Sequence, residues 1–473
     1  MVGITSVGVY IPRYRLSCEK IAAMWRTKAI SGEKAVAGYD EDSVTMAVAS
    51  VRECMRGNHR KVEGLYHAST TAPYKEKQNA AVIAGVAGLN RKSVTADFTN
   101  SLRAGTIALK SALDAVNSGS AEAVVVTASD CRMGAPKGRF EQLLGDGAAA
   151  LAIGTGEVIA EVEGSYSVFS EFTDLWRTEG ERFVRSTEGR FIDEEGYLPT
   201  MREAISELMG AHSLGARDFS KIVFSASDGR QHADLSKKLG FEASQVQDPL
   251  FSQIGHTGTA GTLIMLIAAL EEAKPGERIL VANYGDGSDA LILRATEAIA
   301  GIQGGPTMKE RLAAKRPIDY GTYLNWRDLI PFEASSLPER GEPSIASRWR
   351  QRHVISSLSG VKCRKCGVPQ IHPLGQTIRV CAVCQSKDDF DDYSFADKTG
   401  RLFTYAIDQL QPTKNPPGLN GVVDFDGGGR LVCELTDYDL DRVRIGMPVE
   451  MTFRRMSHGE GIFNYFWKAK PVA

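Results

Sequence analysis

Two stretches of the chain are apolar where a surface helix would show a single apolar stripe. The stretch from Leu263 to Leu270 is apolar on every side, and the stretch from Ile107 to Val116 is nearly so. A helix that is apolar all round is normally enclosed by other elements. The pattern therefore predicts two buried helices that lie between layers of sheet.

Each of these helices belongs to a longer repeated pattern. Both begin with Ala-Gly-Thr, at Ala104 and at Ala260, and both lead through a polar turn into a strand of β-branched residues. A Gly-rich turn and a further buried strand then follow, in LLGDGAAALAI and in NYGDGSDALIL. The repeat predicts a duplicated α/β domain over residues 1–335, with halves at roughly 1–165 and 166–335.

The C-terminal third follows a different pattern. Residues 336–348 are polar and punctuated by Pro and Gly, which predicts a linker. After residue 393, short β-type segments alternate with Gly, Pro and Asp, as in GRLFTYAIDQL, GGGRLVCELTDYD and PVEMTFRRM. This pattern predicts a small all-β barrel of the OB type over residues 393–473.

Four cysteines lie between the linker and the barrel. Cys363 and Cys366 form one C-x2-C pair, Cys381 and Cys384 form a second, and fourteen residues separate the pairs. This spacing is typical of a zinc ribbon, which we place at 349–392 together with a preceding helix. Four thiolates leave no open position on the metal, so the predicted zinc is structural.

Composition narrows the possible partners. Lys and Arg number 56 against 58 Asp and Glu, so the whole chain has no field that attracts nucleic acid or anionic membranes. The longest apolar run is too short for a membrane span, and the first residues alternate like a strand, unlike a signal peptide. A cytoplasmic protein is expected. Nucleic-acid binding by the barrel is unlikely, although it offers four arginines, Arg401, Arg430, Arg454 and Arg455, because acidic segments dilute their charge.

The first two-thirds of the chain resemble the bacterial and archaeal 3-hydroxy-3-methylglutaryl-CoA synthases of the thiolase superfamily. The resemblance rests on five motifs in family order: VGVYIPRYRL, DEDSVTMAVAS, TNSLRAGT, EQLLGDGAAALAIG and YGDGSDA. It implies a five-layer αβαβα fold, a dimer, and an acyl-CoA substrate in a tunnel that reaches the start of a buried helix. The last third resembles the zinc-ribbon/OB-fold partners of thiolase-like enzymes, which implies a possible thiolase partner.

The resemblance also locates what is missing. The family uses a cysteine nucleophile, a glutamate acid/base and a histidine, and their places fall on Leu102, Thr70 and Ser225. Leucine has no lone pair with which to take an acyl group. The ordinary acyl-cysteine mechanism is therefore excluded for this chain.

Several residues could supply other chemistry. His256, in IGHTGTAG, resembles the histidine of the thiolase Gly-His-Pro loop and is our main catalytic candidate, as an oxyanion donor. Tyr74 or His232 could move a proton, and Arg103 could balance charge. Each also has a plain structural interpretation: a packed tyrosine, a buried or solvated histidine, or an ion-paired arginine.

Three functions stay open at this point. The preferred one is an enzyme that forms or cleaves a carbon–carbon bond at a CoA thioester by aldol or retro-aldol chemistry, with Arg103, Ser225 and Gly285 near the substrate. The second is a Claisen-type acyltransferase that uses Ser101 as nucleophile, although a serine there is more often a helix cap. The third is a non-catalytic acyl-CoA-binding partner of a thiolase.

Overall fold

The computed structural model describes residues 1–58, 60–331, 333, 344–374, 376–459 and 461–472. The chain divides into two compact units. The first contains Met1–Gly38, Asp42–Ala84 and Leu89–Tyr323, and the second contains Tyr39–Glu41, Gly85–Gly88 and Leu324–Ala473. Positions 336–343 of the predicted linker lie outside the described residues, and a helix begins at Ile345, inside the rest of it.

The strands of the first unit are short and mostly buried. They are β1 Val2–Tyr10, β2 Tyr14–Ser17, β3 Glu33–Val36, β4 Val62–Ala68, β5 Val94–Phe98, β6 Ala123–Asp130, β7 Gly147–Thr155, β8 Ala160–Phe169, β9 Leu175–Trp176, β10 Arg185–Ser186, β11 Lys221–Phe224, β12 Arg278–Tyr284, β13 Gly287–Ala295 and β14 Arg316–Pro317. Nine of them form one sheet, in the order β11, β12, β13, β8, β1, β7, β6, β4, β5.

The described residues of the two units contain thirteen α-helices. They are α1 Cys18–Trp25, α2 Ser43–Cys54, α3 Asn79–Val86, α4 Ala104–Asn117, α5 Arg139–Leu143, α6 Gly189–Phe191, α7 Leu198–Ala211, α8 Gly229–Lys238, α9 Phe251–Ile254, α10 Gly261–Glu272, α11 Met308–Ala313, α12 Tyr320–Trp326 and α13 Ile345–Ser357. Within the described ranges, none of these helices has the length and apolar character that crossing a lipid bilayer requires.

The strand order confirms the predicted duplication. The first half runs β1, β7, β6, β4 and the second half runs β8, β13, β12, β11. In both halves the first two pairings are antiparallel and the last is parallel. Helix α4 precedes β6, and α10 precedes β12 at the equivalent place. The two halves therefore share the same strand directions and the same order of helix and strand.

The two apolar helices are buried, as their composition predicts. In α10 the nine residues from Thr262 to Leu270 are all buried, and α4 buries its apolar residues in the same cluster. The starts of the two helices meet, because a Cβ on Gly105 would lie 2.8 Å from the carbonyl oxygen of Thr259. Glycine is therefore required for this close approach.

The sheet is apolar on both faces because both faces are covered. In β12, Ile279 and Val281 belong to the cluster that contains α4 and α10. Their neighbours Leu280 and Ala282 belong to a second cluster that contains residues of α7 and α8. A strand covered on both sides carries continuous apolar residues in place of alternation, which explains the unbroken run that predicted it.

The second unit is mainly β-structure. Strands β15 Ser359–Cys363, β16 Pro369–Ile371 and β17 Phe390–Ser394 form a small sheet beside α13. Strands β18 Thr399–Asp408, β19 Gly418–Phe425, β20 Arg430–Glu434, β21 Pro448–Gly459 and β22 Ile462–Pro471 form a five-stranded sheet in the order β20, β19, β18, β21, β22. An all-β module after a cysteine-bearing segment is what the sequence predicts.

A buried ion network lies inside this second unit. Arg454, with 0 % of its side chain exposed, pairs with Glu41 and with Asp437. Lys468, 2 % exposed, pairs with Asp40 at 2.9 Å. Burial alone would raise the pKa of Asp40, but Lys468 and Arg454 hold it below its usual value. Arg454 is thus consumed by internal pairing and cannot contribute to a basic groove.

Candidate functional site

A cavity of about 890 Å³ opens in the first unit at the start of α4. Leu102 and Thr70, which the sequence resemblance aligns with a cysteine and a glutamate, both line it. The rest of its wall comes from the loops that follow β4, β5 and β6 and from the segment 174–184. Thr70 and Leu102 therefore share one cavity.

Asp130 organises the floor of this site at the end of β6. Its Oδ1 accepts hydrogen bonds from the Thr70 backbone N–H at 2.8 Å and from the hydroxyls of Thr70 and Thr71 at 3.0 and 2.9 Å. Its Oδ2 accepts the Thr259 N–H at 2.8 Å. Gly258 has φ +63°, and a Cβ there would lie 2.2 Å from Oδ2. The carboxylate thus ties the loop that contains Thr70 to the segment before α10.

Ser101 is held as a structural residue at the start of α4. Its hydroxyl donates to the Gly285 carbonyl oxygen at 3.0 Å and accepts the Arg103 N–H at 3.4 Å. A Cβ on Gly285 would lie 2.9 Å from this hydroxyl oxygen. Within the described part of the chain, no hydrogen bond joins Ser101 to a titratable side chain. The hydroxyl is therefore held by two backbone groups just before α4, whose N-cap is Arg103.

Arg103 does not line the cavity. Its guanidinium pairs with Asp289 at 3.2 Å and donates to the carbonyl oxygens of Val168 and Asp286, at 3.0 and 3.1 Å. Its side chain is 12 % exposed. Arg103 thereby joins the start of α4 to strands β8 and β13, and a role toward substrate stays a prediction.

Tyr74 lies on the wall of the large cavity. The loop that carries it is fixed by Asn79, which accepts the Tyr74 N–H at 3.3 Å and donates to the Tyr74 carbonyl at 3.1 Å. The ammonium of Lys77 is 5.3 Å from the ring centroid. The tyrosine therefore shares one cavity with Thr70 and Leu102.

His256 lines a separate cavity of about 20 Å³, together with Ser225. The Gly258 N–H donates to its Nδ1 at 3.1 Å, so the neutral ring carries its proton on Nε2. Phe251 stacks on the ring at 6.0 Å between centroids. Burial lowers the pKa of His256 to about 3, and the charge of Arg132 acts in the same direction. The imidazole is therefore a neutral N–H donor at physiological pH.

His232, the other candidate for moving a proton, is held by aromatic packing. The His232 ring stacks on Phe224 with centroids 4.2 Å apart, and burial lowers its pKa to about 4. Asp228 caps α8 through two backbone N–H groups, and its side chain does not orient the ring. The Ser225 hydroxyl accepts the Tyr284 N–H at 2.8 Å. His232 lines neither cavity. Its aromatic neighbours, Phe224 and Phe251, come from other segments, and local sequence does not predict that they pack against it.

Sequence reasoning missed Arg132. Its side chain is 93 % buried, since only 7 % is exposed, yet it lines the large cavity. Burial lowers its pKa, Asp130 raises it, and Arg177 lowers it. The available signal was a cation two residues after a buried strand, where loops that carry binding residues begin. Cys131, the residue before it, also lines the cavity.

The four cysteines of the second unit converge. All four Sγ atoms lie within 4.8 Å of one another, with Cys363 and Cys384 at 3.6 Å and Cys366 and Cys381 at 3.5 Å. A tetrahedral ion bound to sulfur at about 2.3 Å needs sulfurs roughly 3.8 Å apart. The donor set therefore fits a four-thiolate metal site.

Known proteins match the two parts of the chain separately. The hydroxymethylglutaryl-CoA synthase of Methanopyrus kandleri is 32% identical over 345 residues, which cover 70% of this chain and 98% of that protein. The enzyme of the same name from Methanothermobacter thermautotrophicus is 33% identical over 341 residues, 69% of this chain and 98% of that protein. Residues 393–454 match a family described as the C-terminal OB-fold domain of ChsH2.

Solved structures agree on the fold. The crystal structure of an HMG-CoA synthase complexed with CoA superposes with a TM-score of 0.63 at 18% identity, covering 72% of this chain and 92% of that one. The thiolase-like fold and the C-terminal OB-fold that the sequence predicts are thereby confirmed.

Proposed function

Because this chain belongs to the hydroxymethylglutaryl-CoA synthase family, we propose that it is an enzyme that forms or cleaves a carbon–carbon bond at an acyl-CoA thioester without an acyl-cysteine. The CoA thioester is inferred from the names of its relatives and from the CoA complex of a structural neighbour. One observation carries the proposal: the start of α4 presents Leu102 to the large cavity in the place of the nucleophile.

An aldol or retro-aldol reaction fits this site better than acyl transfer does. Such a reaction passes through an enolate next to the thioester and needs no covalent bond to the enzyme. Acyl transfer by Ser101 would need a base, and the Ser101 hydroxyl is bound to the Gly285 carbonyl. An unassisted hydroxyl is a poor nucleophile, so the serine mechanism is the weaker alternative.

His256 would stabilise the enolate oxygen. Its Nε2–H is fixed by the bond that Nδ1 accepts, and its low pKa keeps the ring neutral. Preorganised donors of this kind lower barriers most where water is excluded. Although His256 lines the smaller cavity, Thr259, three residues later, is bonded to the same carboxylate as Thr70. Tyr74, on the large cavity, is better placed than His232 to move the proton.

The cysteine quartet would hold one structural zinc ion. Four thiolates complete a tetrahedral shell, so the metal would stabilise the ribbon and would take no part in the reaction. From the family resemblance we also expect a homodimer in the cytoplasm and propose a thiolase as a partner. Elemental analysis of the purified chain should give one zinc per polypeptide.

The decisive test compares His256→Ala with wild type in the cleavage of 3-hydroxyacyl-CoA substrates. Loss of one oxyanion donor should lower kcat by about 10²- to 10³-fold, whereas Ser101→Ala should retain turnover. The far-UV spectrum and melting temperature check that each variant folds. Unchanged turnover in His256→Ala would contradict the assignment.

Two further outcomes separate the alternatives. A stable acyl adduct on Ser101, detected by intact mass after incubation with acetyl-CoA, would favour the Claisen mechanism. Turnover that appears only when a thiolase is added would favour the role of a non-catalytic acyl-CoA-binding partner. Turnover by the purified chain alone, without an adduct, is the expected result.

A further inference from the structure

The large cavity contains a buried cation that the protein itself does not satisfy. Arg132 is 7 % exposed, and within the described residues its guanidinium makes no hydrogen bond and no ion pair within 4 Å. A guanidinium carries five N–H donors. The nitrogens of Arg132 are not among the fully enclosed polar atoms of the described residues, so they border the cavity, where an acceptor can reach them. The unpaired side chain therefore points to a ligand that supplies the acceptors.

The nearest carboxylates are already occupied. Asp130 accepts bonds from the Ser69, Thr70 and Thr71 loop and from the Thr259 N–H. Asp174 accepts the Leu175 N–H at 2.6 Å. The charges of Asp130 and Asp174 raise the pKa of Arg132, but neither carboxylate forms a hydrogen bond with it.

A second cation on the wall of the same cavity also favours the binding of an anion. Arg177 lines the same cavity, is exposed, and donates to the Thr70 carbonyl oxygen. Its charge repels that of Arg132. A bound anion would lie between two like charges and would relieve their repulsion. Planar acceptors with two oxygens match the fork of a guanidinium best.

We propose that Arg132 binds a carboxylate at the far end of the substrate's acyl chain, so that this enzyme selects acyl-CoA thioesters that carry a second acidic group. The inference rests on the proposed function only in taking the ligand to be a CoA thioester. Arg132 follows Asp130, whose carboxylate holds Thr70 at the reacting end of the cavity. The phosphates of CoA are separated from the thioester by the pantetheine arm, so a group beside Thr70 meets the acyl chain.

Selectivity follows from the burial. An acyl chain without a carboxylate would fill the same space and leave the guanidinium unpaired. Sites built around a buried polar group reject ligands that lack its partner far more strongly than apolar pockets reject a missing methylene. Glutaryl-CoA should therefore bind at least tenfold more tightly than valeryl-CoA, which has the same five-carbon chain without the second carboxylate.

The test measures binding, so that it does not depend on turnover. Calorimetric titration of wild type, Arg132→Met and Lys75→Met with glutaryl-CoA, valeryl-CoA and free CoA gives the dissociation constants. Lys75 is the matched control, because it lines the same cavity but is exposed and paired with Glu179 at 2.5 Å. Arg132→Met should abolish the preference for glutaryl-CoA and leave valeryl-CoA and CoA unchanged, whereas Lys75→Met should keep the preference.

Thermal melting provides an independent readout. Without ligand, Arg132→Met should melt at the same temperature as wild type or higher, because an unpaired buried charge is removed. Glutarate alone, without CoA, should raise the melting temperature of wild type and not that of Arg132→Met. This arm tests the carboxylate site even if CoA thioesters fail to bind and the proposed function is lost.

Three results would overturn the proposal. One is equal binding of glutaryl-CoA and valeryl-CoA by wild type, with no protection by glutarate. The second is a preference that survives in Arg132→Met. The third is equal weakening of glutaryl-CoA, valeryl-CoA and free CoA in Arg132→Met, which would assign the arginine to a phosphate of CoA.

Discussion

The two halves of the first unit share a strand order and a buried helix, but they differ at the helix starts. Next to α4 lies a cavity of about 890 Å³, and next to α10 lies one of about 20 Å³. The fold thus dictates that both helices are buried, whereas the residues just before each helix decide whether space for a ligand opens there. The two equivalent places therefore differ in free volume, and His256 lines the smaller one.

Side chains at the two starts show the difference. Leu102, before α4, is half-buried and lines the large cavity. Leu263, in the first turn of α10, is fully buried, and its neighbour Thr262 donates to the Asn283 side chain at 2.9 Å. The second start is therefore filled by packing and by a satisfied polar pair.

The largest expected effect comes from the same substitution at both starts. Leu263→Ala should lower the free energy of unfolding by about 2–5 kcal/mol, because it leaves a hole in a closed core. Leu102→Ala should cost less than about 1 kcal/mol, because its side chain already borders open space. Urea denaturation with a fixed m-value measures both. Equal losses would show that the two starts are packed alike.

A smaller effect is expected at Gly258, beside the carboxylate of Asp130 that bonds both Thr70 and Thr259. Gly258→Ala should lower the free energy of unfolding by about 2–3 kcal/mol, because φ is +63° and the new Cβ meets Asp130. Gly210→Ala is the control, since that glycine lies exposed in α7 with nothing near its Cβ position. It should stabilise the protein by about 0.5–1 kcal/mol. If both substitutions were neutral, the Asp130 link would have no energetic role.

The smallest effect is the loss of folding stability in acid that comes from His256, just before α10. The pKa of His256 is about 3 in the folded chain and about 6.5 when unfolded, so the unfolded state binds the extra proton as pH falls. Stability should therefore drop below pH 6.5, with about 2 kcal/mol lost from this group between pH 7 and pH 5. His232, which has a pKa of about 4, contributes in the same direction.

Comparison of wild type with His256→Gln isolates this contribution. Chemical denaturation at pH 7 and pH 5 should show a smaller acid loss in the variant, because glutamine does not titrate. Parallel losses in the two proteins would mean that His256 takes up its proton as readily in the folded state as in the unfolded one.

Local pattern was sufficient for the elements with strong periodicity. The apolar run of α10, the β-branched strand β12 and the cysteine spacing each specify one structure, because burial or metal geometry leaves few alternatives. Asp130 ends the buried strand β6, and it accepts five hydrogen bonds from the loops around it.

The candidate site was less accessible to sequence reasoning. The surroundings of His232 depend on Phe224 and Phe251, which reach it only through tertiary packing. Arg132 was overlooked because its importance lies in the absence of an internal partner, and spacing carries no information about partners. Burial and pairing are properties of the assembled chain, whereas a motif records only order and distance along it.

The ion network of the second unit has a consequence for any attempt to divide the chain into separate polypeptides. Arg454 and Lys468 are neutralised in part by Asp40 and Glu41, which lie hundreds of positions earlier in the chain. A gene cut at codon 324 would yield a C-terminal polypeptide with two interior cations stripped of these counterions. Residues 324–473 expressed alone should therefore be less stable than the same residues in the full chain, because an unpaired buried charge is costly.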